Sequence, residues 1–435
     1  MNRQQGPDPY SPHTGSGAYH VVHYELDLSC KLGGNRLDGT ATLQVEALLP
    51  CTQLELDLVG LGVTRTSVGG RKSPHKRRGG KLIIELPTPL APGELTTVQV
   101  RYGGTPGPRQ GPWGDVGWEE LEDGVLVAGQ PDGASTWFPC NDTPGDKASY
   151  RISVETDAGY RPVANGRLVS HSRRSSRERW EFVMDAPMAP YLATLQIGRY
   201  TPQPLEAGMS VMCPAEMLDD ARVAFAQQGR MRVAFESEFG AYPFEAYTAV
   251  VTQDELEIPL EAQGLSIFGR NHLSTTWEAQ RLIAHEYAHQ WFGNSLTVHT
   301  WKDVWLHEGF ACFSEWLWSE RSGGQSIQSR AKAAWRGLSS LPQDIVVGDP
   351  GPKLMFDDRV YKRGALAVYA LREACGAEAF RGLLHSWTQE NRHGTIDREA
   401  FDAHLVAHSP EGVYLTQILS EWVDTRALPA FPADS

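Results

Sequence analysis

An α+β chain of two modules, an all-β one followed by a mostly helical one, is the fold class the sequence predicts. Three observations predict it. Apolar and polar residues alternate from residue 20, turn punctuation recurs to about residue 200, and beyond "TPQPLEAG" the apolar spacing becomes that of helices. With 435 residues, 41% of them hydrophobic, the chain is long enough for two or three packed domains.

The alternation is plainest at Tyr24, Leu26 and Leu28, at Ala41, Leu43 and Val45, and at Leu54, Leu56 and Leu58. A period of two puts one set of side chains on one sheet face, so these segments read as half-buried antiparallel strands. "LGGN", "APGE" and "DAGY" supply turns, and the pattern runs to "YLATLQIGRY" at 191–200. A sandwich or barrel-type β domain is expected at 20–203, after a flexible Gly-, Pro- and Ser-rich leader at 1–19. The basic run "GGRKSPHKRRGGK" at 69–81 reads as a solvated hairpin loop. Helical spacing in "CPAEMLDDARVAFAQQGRMRVAFESEFG" opens a second domain at 204–435, interrupted near 245–270.

Composition narrows the partners. A formal charge of −13 argues against a nucleic-acid surface, and no run of roughly 18 apolar residues is present for a membrane span. The six cysteines are scattered without a C-x-x-C pair, and the first residues lack the apolar core of a signal peptide. A cytoplasmic protein is expected, as a monomer or small homo-oligomer.

Chemistry concentrates in "RLIAHEYAHQWFGN" at 281–294. Thr275 and Glu278 form a capping-box pattern before it, and Gly293 stands where a helix stop belongs. On that helix His285 and His289 are four residues apart, so both imidazoles project from one face and can share one metal ion. Glu286, beside the first histidine, can reach a water there without binding the metal. The spacing H-E-x-x-H is a known zinc-protease signature. Downstream, "WKDVWLHEGFACFSEWLWSERSGG" predicts a second helix from near Asp303 to before Gly323, with Glu308 in its early turns. Two histidines and one glutamate leave a fourth position open, as catalytic rather than structural zinc requires. The competing reading is a pair of satisfied core histidines and a surface glutamate. His20, His171, His385 and His404 lack such a setting and are read as surface or core residues.

"HEYAHQWFGN" followed by "WLHEGFA" resembles the gluzincin aminopeptidases of the aminopeptidase N and leukotriene hydrolase family. "WFPCNDTPGDKASYRISV", "AYPFEAYTAVV" and "RVYKRGALAVYALR" extend the resemblance over nearly the whole chain. It implies a saddle-like β sandwich followed by a thermolysin-like catalytic domain, in a short two-domain form without the large C-terminal helical domain of longer members. It implies one Zn2+ held by His285, His289 and Glu308, with Glu286 as general base. In "YKRG", Tyr361 takes the place of the oxyanion-stabilising tyrosine, with Arg363 where a lysine is usual. The family's G-x-M-E-N element, whose glutamate grips the substrate's α-amine, is replaced by "IPLEAQGL": Glu261 is kept, while Ile258, Leu260 and Ala262 differ. Gln130 falls where the family has a second amine-contacting residue. His307 stands where the family has asparagine and is not counted as a ligand.

The resemblance therefore implies an aminopeptidase acting on peptides with a free N-terminus. Two other readings stand beside it: a zinc hydrolase of a non-peptide substrate, and a non-catalytic peptide-binding scaffold with a relic zinc site.

Overall fold

In the computed structural model, residues 8–206 and 208–432 are described. Their contacts form two compact units. The first comprises Met1–Pro204, Gly208–Ala221 and Glu245–Asn271; the second comprises Leu205–Ala207, Arg222–Phe244 and His272–Ser435.

The first unit is built on an eight-stranded sheet. Its strands run in the order Arg167–Arg174, Arg177–Met188, Ala148–Asp157, Tyr19–Lys31, Arg36–Ala47, Leu95–Gly104, Gly62–Val68 and Arg71–Lys72. Tyr24, Leu26 and Leu28 are buried, and they pair across the ladder with Leu43, Ala41 and Gly39. The alternation is explained by that register, since one face packs inward. One pairing departs from the antiparallel expectation: Tyr19–Lys31 lies parallel to Ala148–Asp157, with Leu26 opposite Ile152. Strands so far apart in sequence need no tight turn, so nothing local demands an antiparallel pair.

Smaller sheets complete the unit. A three-stranded one carries Cys51–Asp57, and a mixed five-stranded one runs Tyr200–Pro204, Met209–Pro214, Tyr247–Thr252, Leu265–Gly269 and Leu260–Ala262. Grouped by contact, the mixed sheet belongs with the first unit although most of it follows residue 203. The basic run is not one open loop: Arg71–Lys72 and His75–Arg78 add short strands to two sheets, and Arg77 donates to the carbonyls of Leu58 and Leu61. Of the expected leader, residues 1–7 lie outside the described residues. Residues 8–18 are packed: Asp8, Tyr10, Ser11 and Thr14 are buried, and the Gly15 N–H donates to Asp57 at 2.8 Å.

Among the described residues the helices are α1 (Leu218–Ala224), α2 (Gln228–Phe239), α3 (Trp277–Ala288), α4 (Trp305–Arg321), α5 (Ile327–Ser339), α6 (Asp358–Cys375), α7 (Ala377–Glu390), α8 (Arg398–His408) and α9 (Gly412–Val423). None is long and apolar enough to cross a membrane. The architecture is thus a β-rich N-terminal part followed by a helical one, as the sequence predicts.

Candidate active site

Helix α3 begins at Trp277, with Thr276 as its N-cap and no side-chain capping bond. The Thr275–Glu278 box does not form; Ser274 Oγ instead accepts from the Thr276 N–H at 3.1 Å. The helix holds its position through its far side. Tyr287 and Trp291 pack with Phe235 and Tyr242, at ring separations between 5.4 and 6.1 Å. Burying one such ring stabilises the fold by about 2 kcal/mol or more. That fixed back face leaves His285 and His289 pointing the other way.

Regular helix ends at Ala288, and His289 sits at the C-cap. The chain then tightens into a turn that reaches Gly293, where φ is +121°. A Cβ there would lie 3.2 Å from the His289 ring, so the glycine both permits the backbone conformation and leaves space for the imidazole.

Glu308 is brought in by α4, which opens at Trp305 as expected. Ligand atoms of His285, His289 and Glu308 all lie within 4.8 Å of one another. Glu308 Oε2 is 3.3 Å from His285 Nε2 and 3.4 Å from His289 Nε2. The outer ring nitrogens decide which tautomer faces inward. His289 Nδ1 lies 2.9 Å from the Phe292 carbonyl, which can only accept, so Nδ1 carries the proton and Nε2 offers a lone pair. His285 Nδ1 lies 2.9 Å from Glu315 Oε1, with the same consequence. Two imidazole nitrogens and a carboxylate oxygen therefore converge, a donor set suited to a divalent cation. The donor set fits zinc.

Glu315 had escaped the sequence reading. It lies two turns beyond Glu308 on α4 and is buried. Burial works to raise its pKa, but Lys362, His285 and Arg281 hold it below the usual carboxylate range. Its spacing of seven from Glu308 on one helix was the available signal; its histidine partner, thirty residues back, was not visible. Burial likewise opposes charge on His285, yet Glu308 and Glu315 raise its pKa, so a cation at this centre competes with a proton for the Nε2 lone pair.

Tyr361 comes from α6, its ring 6.1 Å from that of His285 and nearly parallel to it. The two motif glycines make this approach possible. A Cβ on Gly309 would fall 2.8 Å from the Gly364 carbonyl carbon, so α4 and α6 touch backbone to backbone where "HEG" meets "YKRG". Glu286 is buried, and a carboxylate oxygen of it lies within 4.8 Å of a His289 ring nitrogen. Arg363 points away from this centre. It donates to the carbonyls of Trp422, Thr425, Arg426 and Ala427, closing the C-terminal end of α9. His307 accepts from the Val298 N–H at 2.8 Å and stands outside the donor cluster.

Gln130 and Glu261 belong to the first unit and meet there, Gln130 Nε2 donating to Glu261 Oε1 at 2.6 Å. Glu261 lies on the short strand Leu260–Ala262, opposite Ser266. Ala262 is buried in a cluster with Leu126, Val163 and Ile267, an apolar setting in which an amide would lack water.

Comparison with known proteins decides the family. Residues 20–192 match the peptidase M1 N-terminal domain, and residues 224–422 match the peptidase family M1 domain. The chain belongs to peptidase family M1. Among solved structures, an M1 zinc metallopeptidase from Deinococcus radiodurans superposes with a TM-score of 0.90 at 29% identity, covering 98% of this chain and 99% of that one. Endoplasmic reticulum aminopeptidase 1 of Homo sapiens is 25% identical over 87% of this chain, which spans 44% of that relative's length. Leukotriene A-4 hydrolase of Xenopus laevis is 22% identical over 94% of this chain and 72% of its own length.

Proposed function

We propose that this M1 chain is a zinc-dependent aminopeptidase that hydrolyses the first peptide bond of peptides with a free N-terminus. The observation that carries this reading is the convergence of His285, His289 and Glu308, with Glu286 and Tyr361 alongside. These three residues would hold one zinc ion, which would supply Lewis-acid activation of water and of the scissile carbonyl.

The chain's own residues do the rest. Glu286 takes the proton of the attacking water and passes it to the leaving amine, and its burial beside His285 keeps the carboxylate close to that exchange. Tyr361 donates its hydroxyl to the oxyanion as charge develops. Glu315 fixes the His285 ring, and the Phe292 carbonyl fixes the His289 ring. Glu261 accepts from the substrate ammonium, and Gln130 both orients that carboxylate and offers its amide oxygen to the same group. An ammonium so held selects the bond next to it.

A mutant of the Deinococcus enzyme has been solved with a Tyr-Ser-Ala substrate, which supports a peptide as the ligand class here. The six free cysteines are in keeping with a reducing, cytoplasmic setting. The test of bond choice is a comparison of free and N-acetylated forms of one peptide. The free form is expected to be cleaved far faster, and Glu261→Ala is expected to erase most of that preference. Equal cleavage of both forms by the native protein overturns the amine-anchor reading.

A further inference from the structure

Within the second unit the described residues form another cluster of metal-ligating type. Ligand atoms of Glu390, His404 and His408 all lie within 4.8 Å of one another. We propose that these three residues form a second binding site for zinc or a similar borderline divalent cation, which clamps the end of α7 to the end of α8.

Three observations carry this. The first is spacing. Glu390 Oε2 lies 3.5 Å from His404 Nδ1 and 3.2 Å from His408 Nε2. Donors about 2 Å from a tetrahedral ion stand a little over 3 Å apart, and the buried cluster on α3 and α4 shows the same separations, 3.3 and 3.4 Å.

The second is tautomer. His404 Nε2 lies 3.1 Å from the Leu383 carbonyl and 3.0 Å from Ser386 Oγ. The carbonyl can only accept, so a proton on Nε2 satisfies it, and in that tautomer Nδ1 turns a lone pair on Glu390. A lone pair and a carboxylate oxygen repel unless a cation or a proton lies between them. His404 is buried, so its ring is held in this orientation by packing as well as by its hydrogen bonds.

The third is access. The His404 side chain is 4% exposed, whereas His408 is 34% and Glu390 51% exposed. A hydrated ion can approach from solvent and keep water as its remaining ligand. Two imidazoles and one carboxylate are a donor set suited to zinc, cobalt, nickel or copper rather than to calcium or magnesium. The buried cluster has Glu286 after its first histidine; this one has Leu405 after His404, so no base stands at the corresponding place. The second site is therefore stabilising and not hydrolytic, and it does not depend on the function proposed above.

The experiment is a calorimetric titration with zinc chloride of protein already carrying one equivalent of zinc. A second equivalent is expected to bind, with a rise in melting temperature. His408→Gln and Glu390→Gln, both at exposed positions, are each expected to abolish that equivalent and that rise, while melting cooperatively and keeping the first zinc and the arylamide activity. In chelator-stripped protein, His289→Ala is expected to weaken the first equivalent and leave the second intact. Saturation of the native protein at one equivalent overturns the proposal, as does retention of the second equivalent by both His408→Gln and Glu390→Gln.

Discussion

His285 on α3 with His289 at its C-cap, and His404 and His408 on α8, repeat one spacing, and each pair meets a glutamate from another helix at 3.2 to 3.5 Å. Their surroundings differ. The first cluster is buried, its outer nitrogens are held by Glu315 and a backbone carbonyl, and Glu286 and Tyr361 stand beside it. The second opens to solvent, its buried histidine is held by neutral groups, and Leu405 replaces the acid. Under the proposed function similar donors would support different chemistry: burial strengthens charge interactions at the first, where the neighbouring acid and hydroxyl would move a proton and meet an oxyanion. At the second, a cation would only be held.

The comparison is broken most directly at Glu286. Glu286→Ala is expected to keep zinc in the buried cluster and lower turnover of an aminoacyl arylamide by about 10²- to 10⁴-fold, the usual worth of a general base. Full activity with zinc bound would erase the distinction drawn from the neighbouring acid. Tyr361→Phe is expected to reduce kcat by about 10²-fold with little change in KM, because the donated bond forms mainly in the transition state. A change confined to KM counts against an oxyanion role.

Glu315→Gln tests the outer layer. Zinc affinity at the buried cluster is expected to fall by about 10- to 100-fold, measured by competition with a chelator, with the second cluster unaffected. An unchanged affinity removes Glu315 from the account. Arg363→Lys sets the lower bound. It is expected to cost roughly 1–3 kcal/mol of stability, since one ammonium cannot span the carbonyls that a guanidinium bridges. Melting temperature checks it, and loss of zinc instead would place Arg363 in the site.

What could be read from the chain alone follows the range of each signal. Strands at residues 24–28, 41–45 and 54–57 were legible because a buried sheet face imposes a period of two. Their order in the sheet was not, because the parallel pairing of Leu26 with Ile152 joins segments more than a hundred residues apart. His285, His289 and Glu308 stood out because two share a helical turn and the third lies in an adjacent helix. Glu315 was missed because its partner His285 lies 30 residues away, and the Glu390–His404–His408 cluster was missed because its i, i+4 histidines carry no acid after the first and their glutamate comes from another helix. The capping box failed for a local reason: the helix starts at Trp277, so Thr275 and Glu278 do not occupy its N-cap and third positions. The glycines of "HEG" and "YKRG" acquire their meaning only from the contact between α4 and α6.

The central claim is that the buried cluster alone runs the chemistry. Protein stripped with a chelator is titrated with zinc while hydrolysis of an aminoacyl arylamide is followed. Activity is expected to be absent at the start, to rise linearly to one equivalent and to stay level as a second ion binds. Activity that survives stripping, that never appears with zinc, or that follows only the second equivalent contradicts the account.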